Sequence, residues 1–378
     1  MNKLIWGYGV FLLIFTVFSY LFIDGNFPPL HTLYTGFHTS HRELITSLYF
    51  IFISIHFLFY IIFFRTKNFL SSTRLKKLII LTVGILIFSY SAMLSFDVFN
   101  YTTTSKVLFF YKENPYVTMP IEINDSFLQY TRASNKVALY GPLWIVLTGF
   151  PYAIAQNNVL LLLFSMKILV TTFYLGTGYV IWKFSKNIRT TALFLLNPLV
   201  VIETLIASHN DVVMIFFALG AFYMLFKKKL VYGFILFLSS VLIKYATIFL
   251  LPVFLWVVWK NVRKEAVNWN WIFFLSTVCM SIIFFSSPLR EELYPWYFIW
   301  VLPFVLLSQS KNIIRLSLIF SYALILRYLP AMYTGDYFGI TPIMRSIITL
   351  MISVAGMVVF YVDKKFLFKI ALFLKKLP

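Results

Sequence analysis

The chain has 378 residues, 61% of them hydrophobic and only 12% charged, with a mean hydropathy of +0.85. A string of soluble domains is excluded, and one polytopic all-α integral membrane domain is expected in its place. The net charge of +19 does not mark a nucleic-acid binder, because the basic residues gather in short connectors between apolar runs, the pattern of cytoplasmic loops.

The first run, Leu4 to Ile23, continues into Asp24-Gly25-Asn26-Phe27-Pro28-Pro29 without a small-residue cleavage site, so it reads as a retained span and not a signal peptide. His31, His38 and His41 follow, at a spacing that matches no strong metal motif. Leu44 to Phe64 returns, and the connector from Arg65 to Lys77 lies inside. Leu78 to Phe96 then crosses outward and delivers Asp97 to the outer face. The outer loop 97–140 is polar and Tyr-rich. Within it, Tyr101 to Leu139 is expected to hold at least one short helix along the membrane surface, with Asn114-Pro115-Tyr116 turning the chain back toward the cavity.

Gly141 to Ala155 is short and carries Pro142 and Pro151, which suits an interfacial or re-entrant segment; Val159 to Trp182 spans, and its Lys167, unusual inside a span, can snorkel outward and is assigned no role. Two apolar stretches between Arg189 and Lys227 flank an outer hairpin, Ser208-His209-Asn210-Asp211. Two short or tilted helices between Lys229 and Lys260 meet at Lys244, also outside. Trp271 to Ser286, Phe298 to Leu307, Leu316 to Leu329 and Ile343 to Tyr361 complete about twelve transmembrane helices, with both termini cytoplasmic.

The chain then divides into an accessory pair of helices (1–77), a catalytic module (78–308), C-terminal helices (309–363) and a basic amphipathic cytoplasmic tail (364–378). No internal repeat is evident, which counts against a transporter. The single cysteine, Cys279, excludes an intramolecular disulfide.

Every conspicuous polar motif falls on the outer side, where alternate helix ends can ring one cavity. A carboxylate at the lip of an apolar run, such as Asp97, is costly to keep unless it is used; its bland alternatives are a helix cap or a pair with Lys106. Lys244 and Arg290 can hold a phosphate. Tyr101, Asn114, Tyr116, Tyr140, Trp296 and Tyr297 can face a sugar or lipid headgroups. Asp211, with His209 and Asn210, offers a second acidic site for an acceptor or a metal, or else only an N-cap. This set suits transfer of a sugar from a lipid phosphate, with a carboxylate base taking the acceptor's proton.

The order Asp97-Val-Phe-Asn-Tyr, Asn114-Pro-Tyr, Tyr140-Gly-Pro-Leu, Asn197-Pro-Leu, His209-Asn-Asp, Lys244 and Pro295-Trp-Tyr resembles the GT-C superfamily of polyprenyl-phosphate-sugar-dependent glycosyltransferases. Within it, the chain is most similar to the actinobacterial polyprenol-phosphomannose-dependent α-1,6-mannosyltransferases, over Leu78 to Leu307. The resemblance implies a catalytic role for Asp97, a second outer acid at Asp211 and a phosphate-side lysine at Lys244. Two extra spans ahead of Asp97, and a composition rich in Phe and Lys, depart from that pattern.

The expected enzyme is an inverting hexosyltransferase of the cell membrane that works on the extracytoplasmic side. Mannose is the first choice of sugar, a polyprenyl phosphate the donor, and a glycan or glycolipid the acceptor. No cofactor is required, although a divalent metal is compatible. A lipid-linked-saccharide flippase or a transporter is the alternative, and it would need these motifs to line a path across the membrane.

Overall fold

The computed structural model describes residues 2–24, 35–66, 69–123, 125–156 and 158–374, and among them helices are the only regular element. In chain order these are α1 (Asn2–Ser19), α2 (Phe37–Ser40), α3 (Arg42–Arg65), α4 (Ser72–Leu86), α5 (Asp97–Phe109), α6 (Pro142–Ala155), α7 (Val159–Ser185), α8 (Ile188–Leu195) and α9 (Pro198–Val201). There follow α10 (Asp211–Phe226), α11 (Leu230–Ile243), α12 (Leu251–Val262), α13 (Trp269–Ser286), α14 (Leu302–Leu307), α15 (Lys311–Ile325), α16 (Tyr328–Thr334) and α17 (Thr341–Leu374). Among the described residues, seven helical segments are long and apolar enough to cross a membrane, or eight if the pair Ile188–Leu195 and Pro198–Ile206, bent by 53°, is one broken span.

The length criterion alone thus confirms fewer than the expected twelve crossings. Pro142–Ala155, Asp211–Phe226, Leu230–Ile243 and Pro295–Leu307 are apolar but short, and hydropathy alone does not separate such segments from full spans. The tail expected from residue 364 continues α17 as far as Leu374; its side chains, residues 375–378 and His31 lie outside the described residues.

The run from Leu78 to Phe96 departs most from expectation, because its helix stops at Leu86 and leaves residues 87–96 irregular. Lys167 stabilises this end and does not snorkel. It is 2% exposed, and its ammonium donates to the Leu86 carbonyl (2.8 Å), the Ser89 carbonyl (2.6 Å) and Ser89 Oγ (2.7 Å). Three donors on a compact head satisfy carbonyls that a helix end leaves open. Ser19 Oγ adds a bond from Tyr90 N (2.8 Å). Lys167→Met strips these partners at once, at a cost of about 1–3 kcal/mol for each buried group left unpaired. A marked fall in the thermal midpoint of the detergent-solubilised protein is expected, and an unchanged midpoint would remove the ammonium from this role.

Ending α4 early lets Asp97 open a new helix, α5, which runs into the segment where a short surface helix is expected and buries most of its side chains. Lys106, on α5, pairs with Asp125 (2.6 Å) and not with Asp97; Tyr111 also donates to Asp125 (2.6 Å). Burial raises the Asp125 carboxyl, but the Lys106 ammonium and Tyr111 outweigh it and hold the group below the ordinary range.

At the centre lies α10, apolar all round and packed against α7 and α11, as expected of a helix without a polar face. Asn197 caps α9 by accepting from Leu199 N (2.9 Å), with Pro198 as the first helical residue. Gly141 N donates to Ile243 O (3.1 Å), and a Cβ there would overlap the Leu242 carbonyl. Only glycine lets the end of the outer loop lie against the turn that carries Lys244.

Candidate active site

Two acids organise the site, and each is the first residue of a helix: Asp97 opens α5 and Asp211 opens α10. Asp97 N donates to Ser95 Oγ (3.2 Å), and Asn100 Nδ2 donates to Asp97 Oδ1 (3.4 Å). On the other side, Asp97 Oδ2 lies 3.5 Å from His209 Nδ1. The far nitrogen of His209 lies 3.2 Å from Glu203 Oε2, and Tyr328 OH donates to Glu203 Oε1 (3.1 Å). Both imidazole contacts have ion-pair length but lie off the hydrogen-bond axis. His209 and Glu203 are fully buried, whereas the Asp97 side chain keeps 28% exposure.

Local sequence explains this placement. After α9 the chain makes a π turn, Ile202–Ile206, a geometry common at functional sites. Ser208 then takes a left-handed φ of 59°, and His209 N bonds back to Glu203 O (2.9 Å). The Trp296 ring stacks on His209 at 4.1 Å and 16°, and Tyr294 stacks on Trp296 at 4.4 Å and 9°.

Burial pushes the Asp97 carboxyl up, but the adjacent His209 and the Lys244 ammonium outweigh it, so the group lies below its ordinary range. Burial likewise pushes His209 down, while Asp97 and Glu203 raise it further, to about 9. His209 is therefore an imidazolium at neutral pH.

The second acid is fully buried. Asp211 Oδ1 accepts from Lys244 Nζ (2.8 Å) and Trp300 Nε1 (2.5 Å). Lys244 also lies over Tyr297 (4.7 Å) and Trp300 (5.4 Å). Tyr101 OH donates to Asn210 Oδ1 (3.4 Å), and its ring meets Tyr140 edge-on at 4.7 Å. Tyr116 OH donates to the Tyr140 carbonyl (2.7 Å), while Asn114 Oδ1 accepts Tyr116 N (3.0 Å) in a tight turn. Beside Asp97, a shallow cleft is lined by Asn100, Thr104, Lys136, Leu139 and Tyr140.

Residues spread from Asp97 to Trp300 thus meet in one cluster. Arg290 does not join them: it is exposed, and no hydrogen bond or ion pair links it to these side chains. Sequence reasoning missed Glu203, Trp300 and Tyr328. It also missed a cluster beyond Tyr294 in which Glu292 accepts from Arg327 (3.0 Å) and Arg345 (2.6 Å). Among the described residues, no group of three or more His, Cys, Asp or Glu side chains is placed to hold a metal ion.

Sugar transfer within a membrane needs a reachable base, a cation for the leaving phosphate and ring faces for the sugar. The class that combines these needs in a bundle of apolar helices is the GT-C glycosyltransferases. The chain belongs to the MptA_B family, described as alpha-(1->6)-mannopyranosyltransferase, N-terminal domain, whose model matches residues 9–260. It is therefore a membrane glycosyltransferase of a mannosyltransferase family. The match takes in Asp97, Glu203, His209, Asp211 and Lys244, and ends before Trp296 and Trp300. No curated protein and no solved structure gives a significant match.

Proposed function

We propose that the protein moves a hexose, mannose before others, from a polyprenyl phosphate to an extracytoplasmic glycan or glycolipid, with inversion. The observation that carries this reading is the unequal access of the three acids. Asp211 and Glu203 are sealed and paired, while Asp97 alone of the three keeps solvent exposure, at 28%. Asp97 is the base: it takes the proton of the acceptor hydroxyl as that oxygen bonds to the anomeric carbon. The bond from that carbon to the phosphate oxygen breaks on the opposite face, and its electron pair leaves with the phosphate.

Lys244, 21% exposed, meets that phosphate as a point charge, with Asp211 and Trp300 fixing its position; Arg290 serves at the rim. Tyr101, Tyr140, Trp296 and Tyr297 offer ring faces to the sugar and its lipid, Asn210 orients Tyr101, and Asn114 with Tyr116 shapes the acceptor side.

The test is incubation of the purified protein in lipid nanodiscs with synthetic polyprenyl-phosphate hexoses and a panel of glycan and glycolipid acceptors. Transfer with an inverted anomeric centre is expected. Transfer that needs a nucleotide sugar, or that retains the configuration, would refute the reading.

A further inference from the structure

We propose that Glu203 is a positioning residue for the proposed base Asp97 and acts through His209, by holding that ring in its doubly protonated form. The inference rests on the reading of Asp97 given above.

Geometry carries it. His209 has no exposure and places one nitrogen against each of two carboxylates, at 3.5 and 3.2 Å. A neutral imidazole has one N–H and would turn a lone pair toward one of those acids. Only the cation presents a proton to both. Trp296 covers the ring face at 4.1 Å, a contact that favours the charged form. The second oxygen of Glu203 is tied to Tyr328 OH, and its backbone is tied to His209 N through the π turn, so the carboxylate has little freedom to retreat.

The charged and titratable groups around His209 come from every neighbouring element. Asp97 faces it from α5 and Glu203 from the π turn. Asp211 and Lys244 form a paired unit on α10 and after α11, while Tyr294, Glu292 and Arg345 lie beyond Trp296. With Asp211 and Lys244 neutralising each other, Glu203 is the group that offsets the imidazolium independently of Asp97. Asp97 is then free to gain and lose a proton while His209 keeps its charge.

Glu203→Gln keeps the size of the side chain and removes its charge. Two readouts follow, one of them independent of substrate. A protonated imidazole stacked on an indole quenches its emission, so the fluorescence difference between each protein and its Trp296→Phe counterpart titrates His209. The midpoint should lie near 9 with Glu203 present and should fall by about one unit or more in Glu203→Gln. The alkaline limb of the pH–rate profile should move down by the same amount, so that transfer at high pH falls about tenfold while the donor KM at pH 6 stays put.

Tyr328→Phe, which deletes only the bond to Glu203, should shift both readouts the same way by less, and it carries the test if Glu203→Gln does not fold. Equal fluorescence midpoints in wild type and variants would overturn the proposal, as would an unmoved alkaline limb in a folded, active variant. If wild type transfers nothing from lipid-phosphate sugars, the proposed function fails, and the fluorescence midpoints still decide the role of Glu203.

Discussion

Asp97→Asn should leave the protein folded and able to bind donor, yet cut turnover by about 10²–10⁴-fold, the usual loss when a positioned general base is removed. The amide matches the carboxylate in size and keeps an oxygen toward His209, so packing around α5 is undisturbed. What it lacks is the capacity to accept the acceptor's proton. The variant also removes one of the two negative charges beside His209, so the thermal midpoint should drop at neutral pH, where the imidazolium of wild type is paired on both sides. The sign follows from linkage: a folded-state value raised from 6.5 to about 9 contributes stability that is complete below 6.5 and lost as pH rises through 9. Single-turnover transfer and donor binding, measured on the same nanodisc preparation, check the two claims separately. Near-normal transfer by Asp97→Asn would end the assignment of the base.

Lys244→Met should cause the largest loss of stability in the site, on the order of 3–5 kcal/mol, because it leaves a carboxylate buried without its counter-ion. The mirror change, Asp211→Asn, should cost less. Asp211 is sealed from solvent, whereas the Lys244 side chain is 21% exposed and keeps the faces of Tyr297 and Trp300. An ammonium so placed can turn to water, and an isolated buried carboxylate cannot. Pairing the two changes should restore much of what Lys244→Met loses. Unfolding curves in detergent for the two single variants and the double variant give the comparison. The donor KM should rise steeply for Lys244→Met and less for Asp211→Asn, which keeps the ammonium but loosens the hold on its position. If Asp211→Asn proves the costlier of the two, the asymmetry of burial does not govern this pair.

Asp97, His209, Asp211 and Lys244 were legible in the sequence because each interrupts or ends an apolar run, where a charge calls for a reason. The same rule applied within the run from Leu193 to Ile206 would have found Glu203, which has no basic residue beside it to suggest a pair. Trp300 and Tyr328 read as packing aromatics, since nothing local shows that an indole N–H reaches an acid 89 residues away. The helix end at Leu86 was hidden for a related reason. Hydropathy from Leu78 to Phe96 is continuous, and the side chain that satisfies the helix end comes from 81 residues further along the chain. Arg290 stands out in sequence by its charge and its neighbours, but it lies on an exposed loop with no hydrogen bond or ion pair to the cluster. Segments such as α10 and α11 are as apolar as the longer helices but shorter, so hydropathy counts them as crossings where length does not.

The two acids share a circumstance that extends beyond their side-chain partners. Each begins a helix of more than two turns, and each helix start carries roughly half a positive charge from its aligned peptide dipoles. Together α5 and α10 bring backbone charge equivalent to about one cation to the site, without spending a lysine or arginine in an apolar body. This field depends on register and not on composition. Lengthening either side chain by one methylene, as in Asp97→Glu or Asp211→Glu, keeps the charge but moves it off the helix end. Within this frame glutamate is a poor replacement for either aspartate, and the starting points of two helices are as much a part of the site as the residues that occupy them.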